Sequence, residues 1–329
     1  MSASFPYHLC LTHSPLVSMV FQTAMTHLKV PDDRIRSISR RGVTPAGQGV
    51  CLDDLSDEME AQFKSFQRWH YRRSLREFRD IINNLTGSRK FIAYLPHLNR
   101  IFYQEVIAHP NCVGFLYVEE GFTSMNWKSK RRSKASFGKR LKNQLRGLWT
   151  GSAYGGKEAM YEIEYPKFRG ALAISELAFQ GMERVLNVTP WISPYPVSKG
   201  AVTTYVILDT SYLHRGIPWD SYRMALVAAL LGEIASGRSI AIKFHFADEC
   251  SKERFQEIRE EIGTGILLER DFSVEDHFCA GDLLLFAVSS LGYYVAKFGG
   301  MATCFASKIE GMDLNEWIAE GRLPADFPK

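Results

Sequence analysis

Short apolar strands alternate with helix-length segments along this chain. The alternation runs twice, broken once by a proline-rich stretch. In the first run Tyr7–Thr12 reads as a strand, Pro15–Leu28 as a helix with Leu16, Met19, Val20 and Phe21 inward, and Ser65–Leu85 as a long helix. Phe91–Leu95 follows as a strand, Arg100–Ala108 as a short helix, and Val113–Val118 as an apolar strand. The break, 150–202, is rich in Gly, Pro and aromatic residues, and Trp191-Ile192-Ser193-Pro194-Tyr195-Pro196 reads as a linker. The second run takes strands at Thr203–Leu208, Ser239–Phe244, Ile266–Leu268 and Leu283–Val288. Its helices are Trp219–Ser236, Cys250–Glu261 (capped near Asp248), Leu291–Phe298 and a short amphipathic one at Asp313–Gly321. Alternation at these lengths calls for parallel sheets with crossover helices. It predicts an α/β chain of two Rossmann-like domains facing an interdomain cleft, 1–195 and 196–305, with a helical tail over 306–329. In such sheets ligands bind beyond the carboxyl ends of the strands.

Apolar residues make up 46% and charged residues 23% of the 329 residues, which excludes a disordered chain, a collagen and a coiled coil. The six Cys form no close pair and mostly lie in apolar stretches, so they read as buried thiols of a reducing compartment rather than a zinc or disulfide framework. The longest apolar candidate for a membrane span, Met224–Ile234, is too short and carries Glu233. The opening MSASFPYHLCLTH lacks the flank, core and cleavage site of a signal peptide, and a cytoplasmic location is expected. There is no GxxxxGK[ST] loop, no GxGxxG after the first strand, no HExxH and no GxSxG. Neither Asp32-Asp33 nor Asp53-Asp54 follows a convincing strand, so no metal site is read from them.

Net charge is a modest +4, but the cations are clustered. Nine Lys/Arg and no acid lie between Lys128 and Arg146, and a second basic stretch, Arg68–Arg79, interleaves Trp69 and Tyr71 with arginines. Within the first stretch, Leu141, Leu145, Leu148 and Trp149 recur at helical spacing among the cations, which suits a helix on an anionic membrane surface or a solvated loop. No nucleic-acid fold motif accompanies the charge, so no nucleic-acid partner is expected.

The polar residues at the predicted strand ends are the candidates for chemistry. Glu119-Glu120-Gly121 follows the third strand of the first run, and of two adjacent carboxylates on an extended chain only one can face a ligand. Such a carboxylate, partly desolvated, can serve as a general base; the same dipeptide also suits a solvated acidic turn. Lys243-Phe244-His245 ends a strand of the second run, where an imidazole can meet an anion or simply satisfy the core. Ser289-Ser290 precedes a helix and can cap it, or offer hydroxyls and amides to a phosphate. His97 follows Phe91–Leu95 and is a better cleft candidate than His214, which lies in a polar loop.

In this order and at these separations, Glu119-Glu120-Gly121, Lys243-Phe244-His245 and Ser289-Ser290 resemble the acidic-acidic-Gly, His-Pro and Ser-Ser motifs of bacterial sialyltransferases, the lipooligosaccharide type above all. Cys10-Leu11-Thr12-His13-Ser14-Pro15-Leu16 is similar to that family's first strand and turn, while Phe246 stands where its pattern has proline. The resemblance implies a GT-B fold and an inverting, metal-independent transfer of sialic acid or a related acidic sugar from a CMP-activated donor, the donor being a substrate and no cofactor being needed. Glu120 would be the base. His245 would assist the leaving phosphate, with Lys243, Ser289 and Ser290 beside it. Thr12, Glu119 and Gly121, with His97, would contact substrate. The N-terminal domain would take the acceptor, a cell-surface glycan or glycolipid, and the C-terminal domain the nucleotide. Together with the basic segment this implies a peripheral protein of the inner membrane. Two rivals stand: a GT-B transferase using CMP-Kdo or a nucleoside diphosphate sugar, and a non-catalytic membrane or nucleic-acid binding protein acting through its basic segment.

Overall fold

The computed structural model describes residues 6–40, 43, 45–131, 137–153, 160–188, 202–245, 247–270, 272–297, 299–319, 323 and 327. The chain divides into two compact units, Met1–Thr189 and Pro190–Lys329. The expected boundary after residue 195, the Trp191–Pro196 linker and Phe246 lie outside the described residues.

The first unit carries strands β1 (Tyr7–Thr12), β2 (Ile35–Ser39), β3 (Gln48–Cys51), β4 (Phe91–Leu95), β5 (Cys112–Val118), β6 (Phe168–Ala173) and β7 (Val185–Asn187). Its helices are α1 (Pro15–His27), α2 (Asp53–Lys64), α3 (Arg68–Thr86), α4 (Ile101–Ala108), α5 (Phe122–Met125), α6 (Trp127–Lys130) and α7 (Phe137–Thr150). The strands form one parallel sheet in the order β3-β2-β1-β4-β5-β6-β7. The order reverses direction between β1 and β4, which is the topological switch point of a doubly wound sheet. A parallel sheet covered on both faces needs strands apolar on both sides. On one face Leu9, Leu11, Phe91, Ala93, Leu95, Phe115 and Tyr117 are buried in one core with Phe78 and Ile82 of α3 and Phe102 of α4. On the other, Cys10, Tyr94 and Val118 are buried, with Phe21 of α1 against the Tyr94 ring. Each fully buried Phe there stabilises the fold by about 1.5–3 kcal/mol.

Local chemistry sets the helix starts. Ser14 caps α1 by accepting from Val17 N (3.3 Å), and Pro15 follows at the first helical position. In α1 the inward residues are Val17, Val20, Phe21, Ala24 and Met25; Leu16 and Met19, expected inside, are only half buried. The long helix expected from Ser65 starts instead at Arg68, because Phe66 takes a left-handed φ of 59° and separates α3 from α2. Glu60 of α2 then reaches across to accept from Ile101 N (2.9 Å) at the start of α4.

The second unit carries β8 (Thr203–Ile207), β9 (Ser239–Lys243), β10 (Ile266–Leu267), β11 (Leu283–Phe286) and β12 (Met301–Cys304). Its helices are α8 (Ser211–His214), α9 (Trp219–Ala235), α10 (Ser251–Ile262), α11 (Val274–His277), α12 (Ser290–Lys297) and α13 (Leu314–Ala319). Its parallel sheet has the order β10-β9-β8-β11-β12, with the switch point between β8 and β11. Relabelled within the unit this is 3-2-1-4-5, the order of the first five strands of the first unit. Both units are therefore Rossmann-like. The tail packs on the second unit: Trp317 is buried under the Arg215 guanidinium, and Phe327 meets Phe286 edge-on.

All six cysteines are free thiols. Cys10, Cys112 and Cys304 are buried, but Cys51 and Cys250 are exposed, so burial holds for fewer of them than the sequence suggested.

Candidate functional site

In the first unit the three loops that leave β1, β4 and β5 at the carboxyl edge bring His13, His97 and Glu120 together. Beyond β5 the two adjacent carboxylates part ways. Glu119 is fully buried, and its Oε2 accepts from Ile174 N (2.6 Å) and Ser175 N (2.9 Å), the amides that follow β6. It locks the β5 and β6 ends together. Glu120, its side chain only 6% exposed, faces the switch point instead. Gly121 makes the turn possible with φ 97°, a conformation that side chains rarely adopt. Ser124 Oγ then accepts from Glu120 N (2.9 Å).

Glu120 Oε1 accepts from the Tyr161 hydroxyl at 2.9 Å. Tyr161 is completely buried and also hydrogen bonds to Ser124; burial first, and then the Glu120 charge, raise its pKa well above the usual range. It therefore stays a donor to the carboxylate. Glu120 Oε2 lies 3.6 Å from His13 Nε2 and 3.8 Å from His97 Nε2. The other nitrogen of His13 meets the Tyr103 hydroxyl (3.1 Å), and His97 packs edge-on against the Tyr103 ring. His13, His97 and Glu120 are a group whose ligand atoms lie within 4.8 Å of one another, so they could hold a metal ion. Tyr161 also borders a cavity of about 370 Å³, with Arg131, Glu162, Ile163 and Glu164.

Thr12 is buried beside this group, and its hydroxyl donates to Ser14 O (2.8 Å), shaping the turn that presents His13. Thus Thr12, His97, Glu120 and Gly121 meet at one edge, with Glu119 behind them. Sequence reasoning missed His13, Tyr103, Ser124 and Tyr161. His13 stood in view, one residue after the first strand. Tyr161 gave no signal, lying in a stretch without periodicity.

In the second unit His245 follows β9. Its Nδ1 accepts from Ala247 N (3.2 Å) and its carbonyl accepts from Asp248 N (2.9 Å). Asp248 is fully buried and accepts from the Tyr212 hydroxyl (2.6 Å), Cys250 N (2.9 Å) and the Arg254 guanidinium, so the loop carrying His245 is tightly anchored. Lys243 donates to the Phe272 carbonyl. Ser289 stands at the N-terminus of α12, accepting from Leu291 N (3.2 Å), and Ser290 opens the helix. The last residues before them are held by Asp209, which leaves β8 and accepts from Val288 N (2.8 Å). A Cβ on Gly292 would come within 2.4 Å of the Phe286 ring, so only glycine lets α12 pack this close to β11. His245 and the serine pair thus stand at the carboxyl edge of one sheet, on β9 and β11, either side of β8.

The basic segment has an unusual orientation. On α7, Asn143, Gly147 and Thr150 are buried, whereas Phe137 (82% exposed), Leu141, Leu145, Leu148 (80%) and Trp149 face out. At 100° per residue, positions 137, 141, 145 and 148 fall within an arc of roughly 80°, opposite the packed side. Exposed Arg140 and Lys142 flank the stripe on either side. Trp69, 75% exposed on α3, joins the patch, with the Arg68 guanidinium over both Trp69 and Trp149. Part of the basic run, 132–136, lies outside the described residues. Among the described residues no helix is long and apolar enough to cross a membrane.

No family model matches the chain, and no curated protein matches it in sequence. Among solved structures it is similar to ADP-heptose LPS heptosyltransferase II of E. coli (13% identity over 91% of this chain and 84% of that one, TM-score 0.40). It is also similar to UDP-GlcNAc 2-epimerase of Methanocaldococcus jannaschii (9% identity, 91% and 83% covered, TM-score 0.45). A third is a Photobacterium 2,6-sialyltransferase in complex with CMP and lactose (9% identity, 87% and 69% covered, TM-score 0.42).

Proposed function

We propose that this protein is an inverting glycosyltransferase of the GT-B kind that moves sialic acid or a related acidic sugar from a CMP-activated donor to a glycan hydroxyl, with no bound metal required. The observation that carries the reading is Glu120: a largely buried carboxylate at a switch point, held at one oxygen by Tyr161 and faced at the other by two imidazoles. In the proposed reaction the acceptor hydroxyl passes its proton to Glu120 as its oxygen attacks the anomeric carbon. The bond from that carbon to the phosphate oxygen breaks, and CMP leaves with the bonding pair. General-base assistance of this kind contributes about 10²–10⁴-fold. His245 then donates to the phosphate, and Ser289, Ser290 and the first amides of α12 hold its oxygens, since a helix N-terminus suits an anion.

Incubation with CMP-sialic acid and glycan acceptors, followed by mass spectrometry, tests the reaction. Glu120→Gln is expected to remove transfer while CMP still binds in calorimetry. Normal transfer by this variant would remove Glu120 from the base role. A thermal-shift panel of CMP, UDP and ADP separates donor classes, with CMP expected to give the largest shift.

The outward leucine stripe of α7 supports a second part of the reading: the enzyme rests on the anionic cytoplasmic face of a membrane, where a lipid-linked acceptor is found. An exposed apolar stripe flanked by cations binds through buried area plus attraction to anionic headgroups. Co-sedimentation with vesicles rich in phosphatidylglycerol is expected, and is expected to be lost in Leu141→Ser/Leu145→Ser/Leu148→Ser. Equal binding by that variant, or equal binding to neutral vesicles, contradicts it.

A further inference from the structure

His13, His97 and Glu120 come from three separate strand ends, and their ligand atoms lie within 4.8 Å of one another. The two imidazole Nε2 atoms are 3.6 and 3.8 Å from the same oxygen, Glu120 Oε2. Those separations exceed the 2.7–3.2 Å of an ordinary N–H···O hydrogen bond. They approach the edge of a coordination polyhedron: with metal–ligand bonds of about 2.0–2.1 Å, a tetrahedral ion holds its ligand atoms about 3.3–3.4 Å apart. The surrounding contacts are those that ligating side chains use. Tyr103 holds His13 at Nδ1, which turns Nε2 toward the group, and Tyr161 holds Glu120 at Oε1, which turns Oε2 the same way. Outer contacts of this type orient a ligand and fix its ring nitrogen.

We propose that His13, His97 and Glu120 form a binding site for a divalent transition metal of the zinc class. Two imidazole nitrogens and one carboxylate oxygen are a donor set that zinc takes at three positions, with a fourth open to water. Magnesium and calcium, which prefer oxygen ligands, fit it poorly. The site stands on its own geometry. One consequence rests on the base role proposed for Glu120: a metal on Oε2 occupies the atom that would accept the proton, so zinc inhibits transfer and a chelator restores it.

The test is calorimetry of the full-length protein with zinc chloride, in a Cys51→Ser/Cys250→Ser background that removes the exposed thiols as competing ligands. One ion is expected per chain, with affinity falling at least tenfold in His13→Ala and in His97→Ala. Tyr103→Phe keeps all three ligands and frees His13 Nδ1; it is expected to weaken binding several-fold. Cobalt(II) gives an independent readout, a visible absorption band of tetrahedral intensity that disappears in His97→Ala. Thermal melting checks that each variant is folded. Zinc affinity unchanged in both folded histidine variants overturns the site, whatever the transfer assay shows. Zinc that binds through these residues yet leaves transfer unaffected supports the site and counts against Glu120 as base.

Discussion

The carboxyl edges of the two sheets share a strand order and differ in what they present. Each edge ties one carboxylate to backbone amides. In the first unit this is Glu119, on Ile174 and Ser175; in the second it is Asp209, on Val288 and Ser211. With the loops fixed in this way, the first edge offers a second carboxylate among two imidazoles and a tyrosine. The second offers an imidazole, two hydroxyls and a helix start. In the proposed reaction the first edge takes up a proton and the second holds an anion. Chemistry of both kinds is what the proposed transfer of a sugar away from a phosphate requires.

That division breaks if variants on the two edges have the same kinetic signature. The largest effect is expected for Glu120→Gln, a fall of about 10³-fold in kcat with CMP affinity unchanged, within the range of general-base catalysis. His245→Asn is expected to lower kcat about 10²-fold, and a loss of CMP binding as large as its loss of rate would make it a binding residue only. Next comes stability. Glu119→Ala leaves two buried amides without their carboxylate, which costs about 3 kcal/mol by the usual penalty for unpaired buried groups. Asp209→Ala is expected to cost less, because Asp209 is half buried where Glu119 is fully buried. Urea unfolding of the two variants compares them, and an equal or reversed order would show that the two carboxylates do not anchor their edges by the same means.

Most of the fold was legible because parallel strands covered on both faces must be apolar throughout. Tyr7–Thr12 and Phe91–Leu95 are found where the pattern put them, and β5 and β8 differ by a residue. The strands that escaped are those whose polar residues find partners within the protein. In β2, Arg36 donates to Leu85 O (2.7 Å) and lies over the Tyr7 ring, while Ser37 donates to Ala46 O (2.8 Å). Read in isolation, such residues look like a loop. β6 and β7 were hidden in the aromatic, glycine-rich stretch after residue 150, where no periodicity of either kind is sustained. The same limit applies to the candidate site. Strand ends marked Glu120, His97, His245 and Ser289, but Tyr161 and Tyr103 reach the site through tertiary packing, which spacing along the chain does not encode.

A smaller effect sharpens the contrast on the second edge. Ser289→Ala/Ser290→Ala leaves the α12 amides in place and removes two hydroxyls, so CMP affinity is expected to fall about tenfold, the worth of one or two net hydrogen bonds. The rate at saturating donor should change far less. Calorimetry with CMP and steady-state kinetics read the two quantities separately; unchanged affinity would take the serines out of phosphate binding and leave them as helix caps.

The smallest effect separates the units by pH. In the first unit, burial lowers the pKa of His8, beside the Tyr94 hydroxyl (2.7 Å). Burial, then Arg79 and Lys167, lowers that of His109. A histidine whose folded pKa lies below its ordinary value of about 6.5 takes up its proton earlier in the unfolded chain than in the folded one. Below that pH the unfolded state binds more protons, so stability falls as the pH drops toward the folded pKa and is fully present above 6.5. The melting temperature is therefore expected to decrease between pH 7.5 and pH 5.5, and His8→Gln/His109→Gln should flatten that decrease. Hydrogen exchange locates the effect: acidification should loosen β1, β4 and β5, which surround these two histidines, before the strands of the second unit. Loosening that begins in β8 to β12 would place the acid-sensitive groups elsewhere, since His8 and His109 belong to the first unit alone.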